Sequence, residues 1–189
     1  MDDNKKKAHA ADSYGEMIET ETIRFERLLP RPIERVWDYL TDSDKRGKWL
    51  ASGKMDSRVG GTVELIFKHD NLSKHPDPIP DKYKDFGEVS TMQGTITNYD
   101  PPYLLSYTWG EASGTDSEVT FELTEEADKV RLVLTHRKIG DDPEQLIGIA
   151  AGWHTHLNIL TNRLEGVEPK GFWSVHIAFE EEYKHRLKL

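Results

Sequence analysis

The sequence contains no cysteine. Without thiols, the chain has no disulfide framework, no thiolate metal site and no thiol nucleophile, and this composition fits a cytoplasmic protein. The sequence also lacks an apolar run of transmembrane length and an apolar signal core near its N-terminus. We therefore expect a cytoplasmic protein without membrane insertion.

Positive charge is scarce relative to negative charge. The chain has 25 Lys and Arg against 34 Asp and Glu, which gives a formal net charge of −9. A general nucleic-acid-binding protein would show a basic stripe, so we expect no nucleic-acid partner. The 189 residues, 36% of them hydrophobic and five of them tryptophan, suffice for one sizeable core.

Several motifs of enzymes and metal proteins are missing. There is no Gly-x-Ser-x-Gly elbow, no phosphate-binding glycine loop, no dinucleotide fingerprint and no His-Glu-x-x-His motif. His154 and His156 would point about 200° apart on a helix, so both cannot reach one ion. His136 lies on a different segment and brings no evident third ligand. The sequence predicts no metal site and no cofactor.

The clearest pattern in the chain is a long helix over residues 144–164. Asp141 or Asp142 suits the N-cap, Pro143 the first helical position and Gly166 the C-terminal stop. Apolar residues recur at steps of three and four, which is typical of a helix with one buried face. These residues are Leu146, Ala150, Trp153, Leu157, Leu160 and Leu164.

The segments before this helix alternate between apolar and polar residues, as half-buried strands do. Two short helices interrupt them early, at residues 32–40 and 44–49. A charged loop with three prolines, residues 70–85, is predicted to be either a mobile surface loop or a lid. The predicted strands cover residues 19–29, 54–59, 62–69, 87–99, 103–109, 118–124 and 130–137.

Closely spaced strands joined by short turns predict an antiparallel meander with one apolar face. Such a face must be covered, and the long helix is its obvious cover. We expect three parts: a flexible arm at residues 1–18, a domain at residues 19–166 and a helical extension at residues 167–189. The extension contains an amphipathic helix over residues 172–189.

This order of elements and motifs resembles the START-like (SRPBCC, or helix-grip) superfamily. More closely, residues 20–166 are similar to bacterial homologues of the activator of the heat-shock chaperone ATPase. The tail is similar to an extra helix found in a subset of that family. The motifs that carry the resemblance are Phe25-Glu26-Arg27 to Pro32, Ile33-Glu34-Arg35-Val36-Trp37, Lys48-Trp49-Leu50, Arg58-Val59-Gly60-Gly61 before Val63-Glu64-Leu65, Gly94-Thr95-Ile96, Asp100-Pro101-Pro102, Leu105-Ser106-Tyr107-Thr108-Trp109 and Gly152-Trp153-His154-Thr155-His156-Leu157.

The resemblance implies an α+β helix-grip fold, in which a curved antiparallel sheet wraps around a long C-terminal helix. It also implies a cavity between sheet and helix, often used for hydrophobic small molecules, but it implies no single activity. Because the enzyme motifs are missing, we expect a non-catalytic domain that holds a small hydrophobic or aromatic molecule in this cavity. Ordinary core packing is the alternative explanation for large apolar residues at such positions. The candidate ligand-binding residues are Trp49, Phe67, Tyr107, Trp109, Trp153 and His154.

Two other functions stay open. The family takes its name from a eukaryotic co-chaperone, so a stress-response role through chaperone binding is one alternative. In the same class of protein interaction, the chain could instead form a homodimer. A small-molecule cyclase or hydrolase would instead need an acid–base pair. The residues for a dimer contact, unless they pack back on the domain, are Phe172, Trp173, Phe179 and Tyr183. The acid–base candidates are His136, His154, Arg27, Arg137 and Glu64.

Overall fold

The computed structural model describes residues 13–110 and 117–187. Within these ranges the chain forms strands β1 to β7, helices α1 to α4 and two 3₁₀ helices. In order they are β1 Glu16–Glu19, β2 Thr22–Pro30, α1 Ile33–Thr41, α2 Ser43–Arg46, β3 Thr62–Phe67, a 3₁₀ helix at His69–Leu72, a second 3₁₀ helix at Asp81–Phe86, β4 Ser90–Asp100, β5 Leu104–Thr108, β6 Glu118–Glu126, β7 Lys129–Arg137, α3 Pro143–Glu165 and α4 Phe172–Arg186.

The seven strands form one sheet in which neighbouring strands are antiparallel, in the order β1-β2-β7-β6-β5-β4-β3. Strands β3 to β7 make a meander. The β1–β2 hairpin extends the sheet on the other side of β7, with β2 paired to β7. Helices α1 and α2 carry the chain from β2 to the opposite edge. This curved sheet around a long helix confirms the predicted α+β helix-grip fold.

Alternation along the strands explains which face of the sheet meets the helix. In β7, Val130, Leu132 and Leu134 are fully buried, while the residues between them are half-buried. Burying one such side chain is worth about 1.5–3 kcal/mol, so each strand adds several kcal/mol to the core. The same alternation in β2 and β6 places Phe25 and Phe121 in the interior.

Helix α3 begins at Pro143 and ends before Gly166, as predicted. Gly166 adopts a left-handed conformation with φ of 73°, which glycine accommodates without strain. Asp142 occupies the N-cap position, but its side chain makes no capping hydrogen bond, so that part of the prediction was wrong. All six residues of the predicted stripe are buried. The opposite side of α3 is also largely buried, because α4 packs against it.

The predicted strand over residues 54–59 is not a strand. Its neighbour Gly53 has φ of 118°, outside the extended range, and the chain turns where the Arg58 N–H donates to Asp56. The seventh strand is β1, whose four residues are all exposed and therefore carry no alternation. Residues 1–12 of the predicted arm lie outside the described residues, whereas β1 begins within its last part.

Candidate ligand site

Five of the six predicted site residues contribute to one group of aromatic rings between the sheet and α3. We call this group, together with Phe121, the sheet–helix cluster. The ring centroids of Trp109 and Trp153 are 4.8 Å apart, and Trp109 is also 6.0 Å from Phe67 and 6.3 Å from Tyr107. Phe121 lies 6.0 Å from Trp153 and links Trp49 to the group at 6.4 Å.

Local structure explains why these rings converge. Tyr107 and Trp109 are two residues apart, so both project from the same face of the chain at the end of β5. Phe67 ends β3, Trp49 follows the short helix α2, and Trp153 sits near the middle of α3. The sequence pattern predicted each of these positions separately, and the curvature of the sheet brings them together.

The members of the sheet–helix cluster differ in exposure. Trp49, Tyr107 and Trp153 are buried, whereas Phe67 and Trp109 are half-buried. The cluster therefore extends from the interior to the surface, with Trp109 in contact with both its buried and its half-buried rings.

A chain of hydrogen bonds holds Trp153 and Trp109 in place. The Trp153 Nε1–H donates to His136 Nδ1 at 3.0 Å, so His136 carries its proton on Nε2 and donates it to Ser117 Oγ at 3.3 Å. Ser117 in turn donates to the Trp109 carbonyl at 2.7 Å. Burial lowers the pKa of His136 to about 3, so the neutral tautomer that this chain requires is stable.

Trp49 and Tyr107 also carry polar groups within the sheet–helix cluster. The Trp49 indole donates to the Tyr39 carbonyl at 2.6 Å. Burial raises the pKa of Tyr107, and the positive charge of Arg46 opposes this shift only partly. The Tyr107 hydroxyl therefore stays protonated at neutral pH.

His154, the sixth predicted residue, lies away from the sheet–helix cluster and faces α4. The Gly15 N–H donates to the Tyr183 hydroxyl at 2.7 Å, and that hydroxyl is hydrogen-bonded to His154 Nδ1 at 2.9 Å. The His154 ring stacks on Phe179 with centroids 3.8 Å apart. Burial, with Arg27 and Arg186 as nearby positive charges, lowers the pKa of His154 to about 3.

His156 also points away from His154, as the helical spacing predicted. Its Nδ1 donates to the Trp49 carbonyl at 2.6 Å, and burial lowers its pKa to about 3. Among residues 13–110 and 117–187, no group of three or more His, Cys, Asp or Glu residues could hold a metal ion.

The candidate acid–base residues do not form a common site. His136 uses both ring nitrogens in its hydrogen-bond chain, and His154 faces α4. Arg27 is buried and donates to the carbonyl of Ser13, while Arg137 is exposed at the end of β7. Glu64 accepts from the backbone of the segment before β3.

Comparison with known protein families identifies the fold family. Residues 30–165 match the family model described as Activator of Hsp90 ATPase homolog 1-like protein. The chain belongs to this family. The Hsp90-ATPase-activator-like family has the START-like, or SRPBCC, fold, which commonly binds hydrophobic ligands.

Solved structures agree with the assignment to the Hsp90-ATPase-activator-like family. A protein of Bordetella parapertussis, solved by solution NMR, is 40% identical over 94% of this chain and 92% of its own, with a TM-score of 0.76. CalU16 from Micromonospora echinospora is 23% identical over 91% of this chain and 93% of its own, with a TM-score of 0.61. The conserved protein EF2215 of unknown function from Enterococcus faecalis is 20% identical over 95% of this chain and 94% of its own, with a TM-score of 0.66.

The last two structures share the fold with this chain. Among curated proteins, none matched the sequence. In the part of the chain that the structure describes, no helix combines the length and apolar character needed to cross a membrane.

Helix α4 lies beyond the residues that match the Hsp90-ATPase-activator-like family model. Three of the four aromatic residues predicted for a dimer contact, Phe172, Trp173 and Tyr183, are buried within this chain. The fourth, Phe179, is half-buried against His154. They pack back on the domain, and a dimer contact through them stays an untested prediction.

A second aromatic group, which sequence reasoning missed, joins the proline-containing loop to α4. We call it the loop–helix cluster. His69 is 4.2 Å from Phe172 and 4.7 Å from Trp173, and Tyr83 stacks on Trp173 at 5.1 Å. Phe67 connects the two clusters, with its ring 6.2 Å from that of His69. The spacing of the aromatic residues in α4 indicated a buried face, but nothing in the sequence paired it with Tyr83.

Polar contacts also bind the loop to α4. Asp77 accepts from the N–H groups of Trp173 at 3.0 Å and Ser174 at 2.8 Å, so a loop residue caps the helix. Glu180 accepts hydrogen bonds from Tyr83 and, at 2.9 Å, from Lys82. Burial acts to raise the pKa of Glu180, but its hydrogen bonds outweigh burial and lower that pKa to about 2.

Proposed function

We propose that the chain is a non-catalytic protein that binds a small hydrophobic or aromatic molecule at the sheet–helix cluster. The observation that carries this proposal is a group of aromatic rings that runs from the buried Trp153 to the half-buried Trp109 and Phe67. A flat ligand that stacks on Trp109 would lose contact with water and gain contact with several aromatic rings. The cytoplasmic location predicted from the sequence is part of this proposal.

The energetics of such a site come mainly from apolar burial. Each square ångström of apolar surface removed from water contributes about 25 cal/mol, and stacked aromatic pairs add about 0.5–1.5 kcal/mol. The indole N–H groups of Trp49 and Trp153 already have hydrogen-bond acceptors, so a ligand would meet this site mainly through apolar contacts. Shape and apolar area would therefore set most of the affinity.

The absence of catalysis in this proposal rests on the histidines. A general base needs a pKa near the working pH and access to the substrate proton. Burial lowers the pKa values of His136 and His154 to about 3, and hydrogen bonds engage both ring nitrogens of His136 and the Nδ1 of His154. The sheet–helix cluster thus supports binding better than it supports a cyclase or hydrolase.

NMR of the tryptophan side chains tests the proposal directly. The chain has five tryptophans, and each indole N–H gives one signal. Titration with bicyclic and tricyclic aromatic compounds should move the signals of Trp49, Trp109 and Trp153. The signals of Trp37, near Tyr99, and of Trp173, in the loop–helix cluster, should move much less.

A matched pair of variants completes this test. Trp109→Leu removes the ring that touches most of the cluster and should weaken binding about tenfold or more, given the area that an indole buries. Phe179→Leu removes a half-buried ring of α4 that stacks on His154 of α3, away from the sheet–helix cluster, and it should leave binding unchanged. Signals that shift at Trp173 alone, or no shift with any compound, would contradict the proposed site.

Self-association or chaperone binding is the alternative proposal. The family description supports it, since it refers to an activator of the Hsp90 ATPase. Light scattering of the purified protein would detect a dimer, and titration with purified Hsp90 would detect a complex. Trp173→Glu and Tyr183→Glu test the predicted contact only if the variants keep their fold, because both side chains are buried.

A further inference from the structure

Residues 74–87, which include the second 3₁₀ helix, are attached to the rest of the chain through side chains. We call this segment the strap. Among the described residues, no backbone–backbone hydrogen bond joins the strap to the rest of the chain. Its first attachments are the Lys74 N–H, which donates to the Glu168 carboxylate at 2.8 Å, and the Asp77 carboxylate, which caps α4. A segment attached in this way can separate from the domain without breaking the sheet.

The main polar attachment of the strap is the carboxylate of Glu180 in α4. Two adjacent strap residues donate to it, Lys82 through its Nζ at 2.9 Å and Tyr83 through its hydroxyl. The Glu180 side chain is only 4% exposed, whereas that of Lys82 is 50% exposed. Hydrogen bonds between charged groups are stronger than those between neutral groups, so the loss of the Glu180 charge should loosen the strap.

Two buried polar atoms of α4 beside Tyr83 make the closed position of the strap costly. Trp173 Nε1 and His176 Nδ1 have no hydrogen-bond partner among the residues that the structure describes. The Tyr83 ring packs against both residues, with centroids 5.1 Å from Trp173 and 5.2 Å from His176. Water can bond to both atoms once Tyr83 moves away, and this gain favours the open position.

We propose that the strap opens and closes as one unit while the sheet and α4 stay folded, and that Glu180 keeps it closed. The two ends of the strap suit this motion. Ser73, the residue before it, is buried and donates to the Pro169 carbonyl at 2.7 Å, so the chain is fixed there. Gly87, its last residue, has a positive φ of 66°, and glycine changes its backbone conformation at little cost. The strap is thus a lid over α4, and this inference does not depend on the proposed function.

Hydrogen exchange measured by NMR tests the inference, because exchange rates report the population of an open form. Glu180→Gln keeps the shape of the side chain and removes its charge. The amides of Lys74, Trp173 and Ser174 donate to side-chain carboxylates at the other attachments of the strap. In the variant these amides and the Trp173 indole N–H should exchange about tenfold faster or more, all by the same factor.

Two controls accompany this measurement. Glu181→Gln changes the next carboxylate of α4, which is exposed, and should leave every exchange rate unchanged. The indole N–H of Trp153 should keep its rate in both variants, because the domain stays folded when the strap opens. If Glu180→Gln does not fold, Tyr83→Phe gives the same comparison, since it removes the hydroxyl that donates to Glu180 and keeps the ring.

Three outcomes would overturn the inference. Faster exchange confined to residues 82–84 would show that the attachments of the strap open independently. Equally faster exchange at the Trp153 indole would show that the strap is released only when the whole domain unfolds. Unchanged rates throughout would show that Glu180 does not keep the strap closed. None of these results bears on ligand binding at the sheet–helix cluster.

Discussion

Trp153 and His154 are adjacent residues of α3 that face different parts of the molecule. Trp153 points to the sheet and donates to His136, and His154 points to α4 and contacts Tyr183. A helix rotates by about 100° per residue, so neighbours on α3 meet different surroundings. Trp153 therefore contributes to packing of α3 against the sheet, and His154 contributes to packing of α3 against α4.

We expect Trp153→Phe to destabilise the protein by about 1–3 kcal/mol, because it removes the donor to His136 Nδ1 and leaves a buried acceptor unpaired. Urea unfolding measures this loss. Trp37→Phe, at another buried tryptophan, is the control for the smaller ring. A loss in Trp153→Phe no larger than in Trp37→Phe would show that the hydrogen bond contributes nothing.

Buried histidines should make stability fall in mild acid. Burial lowers the pKa to about 4 for His69 and to about 3 for His136, His154 and His156, against about 6.5 in an unfolded chain. Below pH 6.5 the unfolded state therefore binds protons that the folded state does not. Each histidine can lower the free energy of unfolding by about 1.4 kcal/mol per pH unit between its two pKa values.

Urea unfolding from pH 8 to pH 4 measures this dependence. The midpoint should be nearly constant above pH 7 and fall steadily below pH 6. His136→Asn should reduce the number of protons taken up on unfolding by roughly one, so the midpoint should fall less steeply with falling pH. His75→Asn, at an exposed position, should leave the fall unchanged. A flat midpoint down to pH 4 would mean that these histidines titrate normally in the folded protein.

At the scale of elements, α4 depends on a carboxylate from a distant loop. Asp77 caps its first turn, and burial would raise the pKa of Asp77, but hydrogen bonds from Ser174 and Trp173 outweigh burial and lower it. We expect Asp77→Ala to cost about 1–2 kcal/mol. Hydrogen exchange at residues 173–176 should accelerate, whereas Asp85→Ala, in an exposed part of the same loop, should have little effect.

The elements with strong periodicity were predictable, and those held by distant contacts were not. Helix α3 and strands β2 to β7 follow their own apolar patterns. Strand β1 has four exposed residues and exists because β2 offers its edge. The pattern of residues 54–59 favoured a strand, but the segment makes one isolated bridge to β3, between Met55 and Val63, before it turns at Arg58.

The same distinction applies to the candidate site. Strand alternation and the helical stripe identified Tyr107, Trp109 and Trp153 as inward-facing, and the structure places them in one cluster. His154 was grouped with these residues, but its ring contacts Tyr183 and Phe179 of α4, and the sequence does not reveal that α4 covers that side of α3. The partners His69 and Tyr83 were missed for the same reason, since each meets α4 only in the folded chain.

For the whole molecule, we expect the family domain and α4 to be one cooperative unit. Phe172, Trp173 and Tyr183 are buried against the domain, and each contributes about 1.5–3 kcal/mol. A chain ending after Gly166 should therefore lose about 5 kcal/mol or more of stability and unfold at a clearly lower temperature. A chain ending after Leu187 is the control. Equal melting temperatures by circular dichroism would show that α4 is dispensable.

The cap on α4 has a consequence for the order of folding during synthesis. The carboxylate of Asp77 and the amide of Trp173 are 96 positions apart. A ribosome synthesises the loop first. Helix α4, which the loop residue Asp77 caps, is made only after the whole sheet. We therefore expect the loop to acquire its final conformation last among the described segments, at the moment when the residues of α4 reach it.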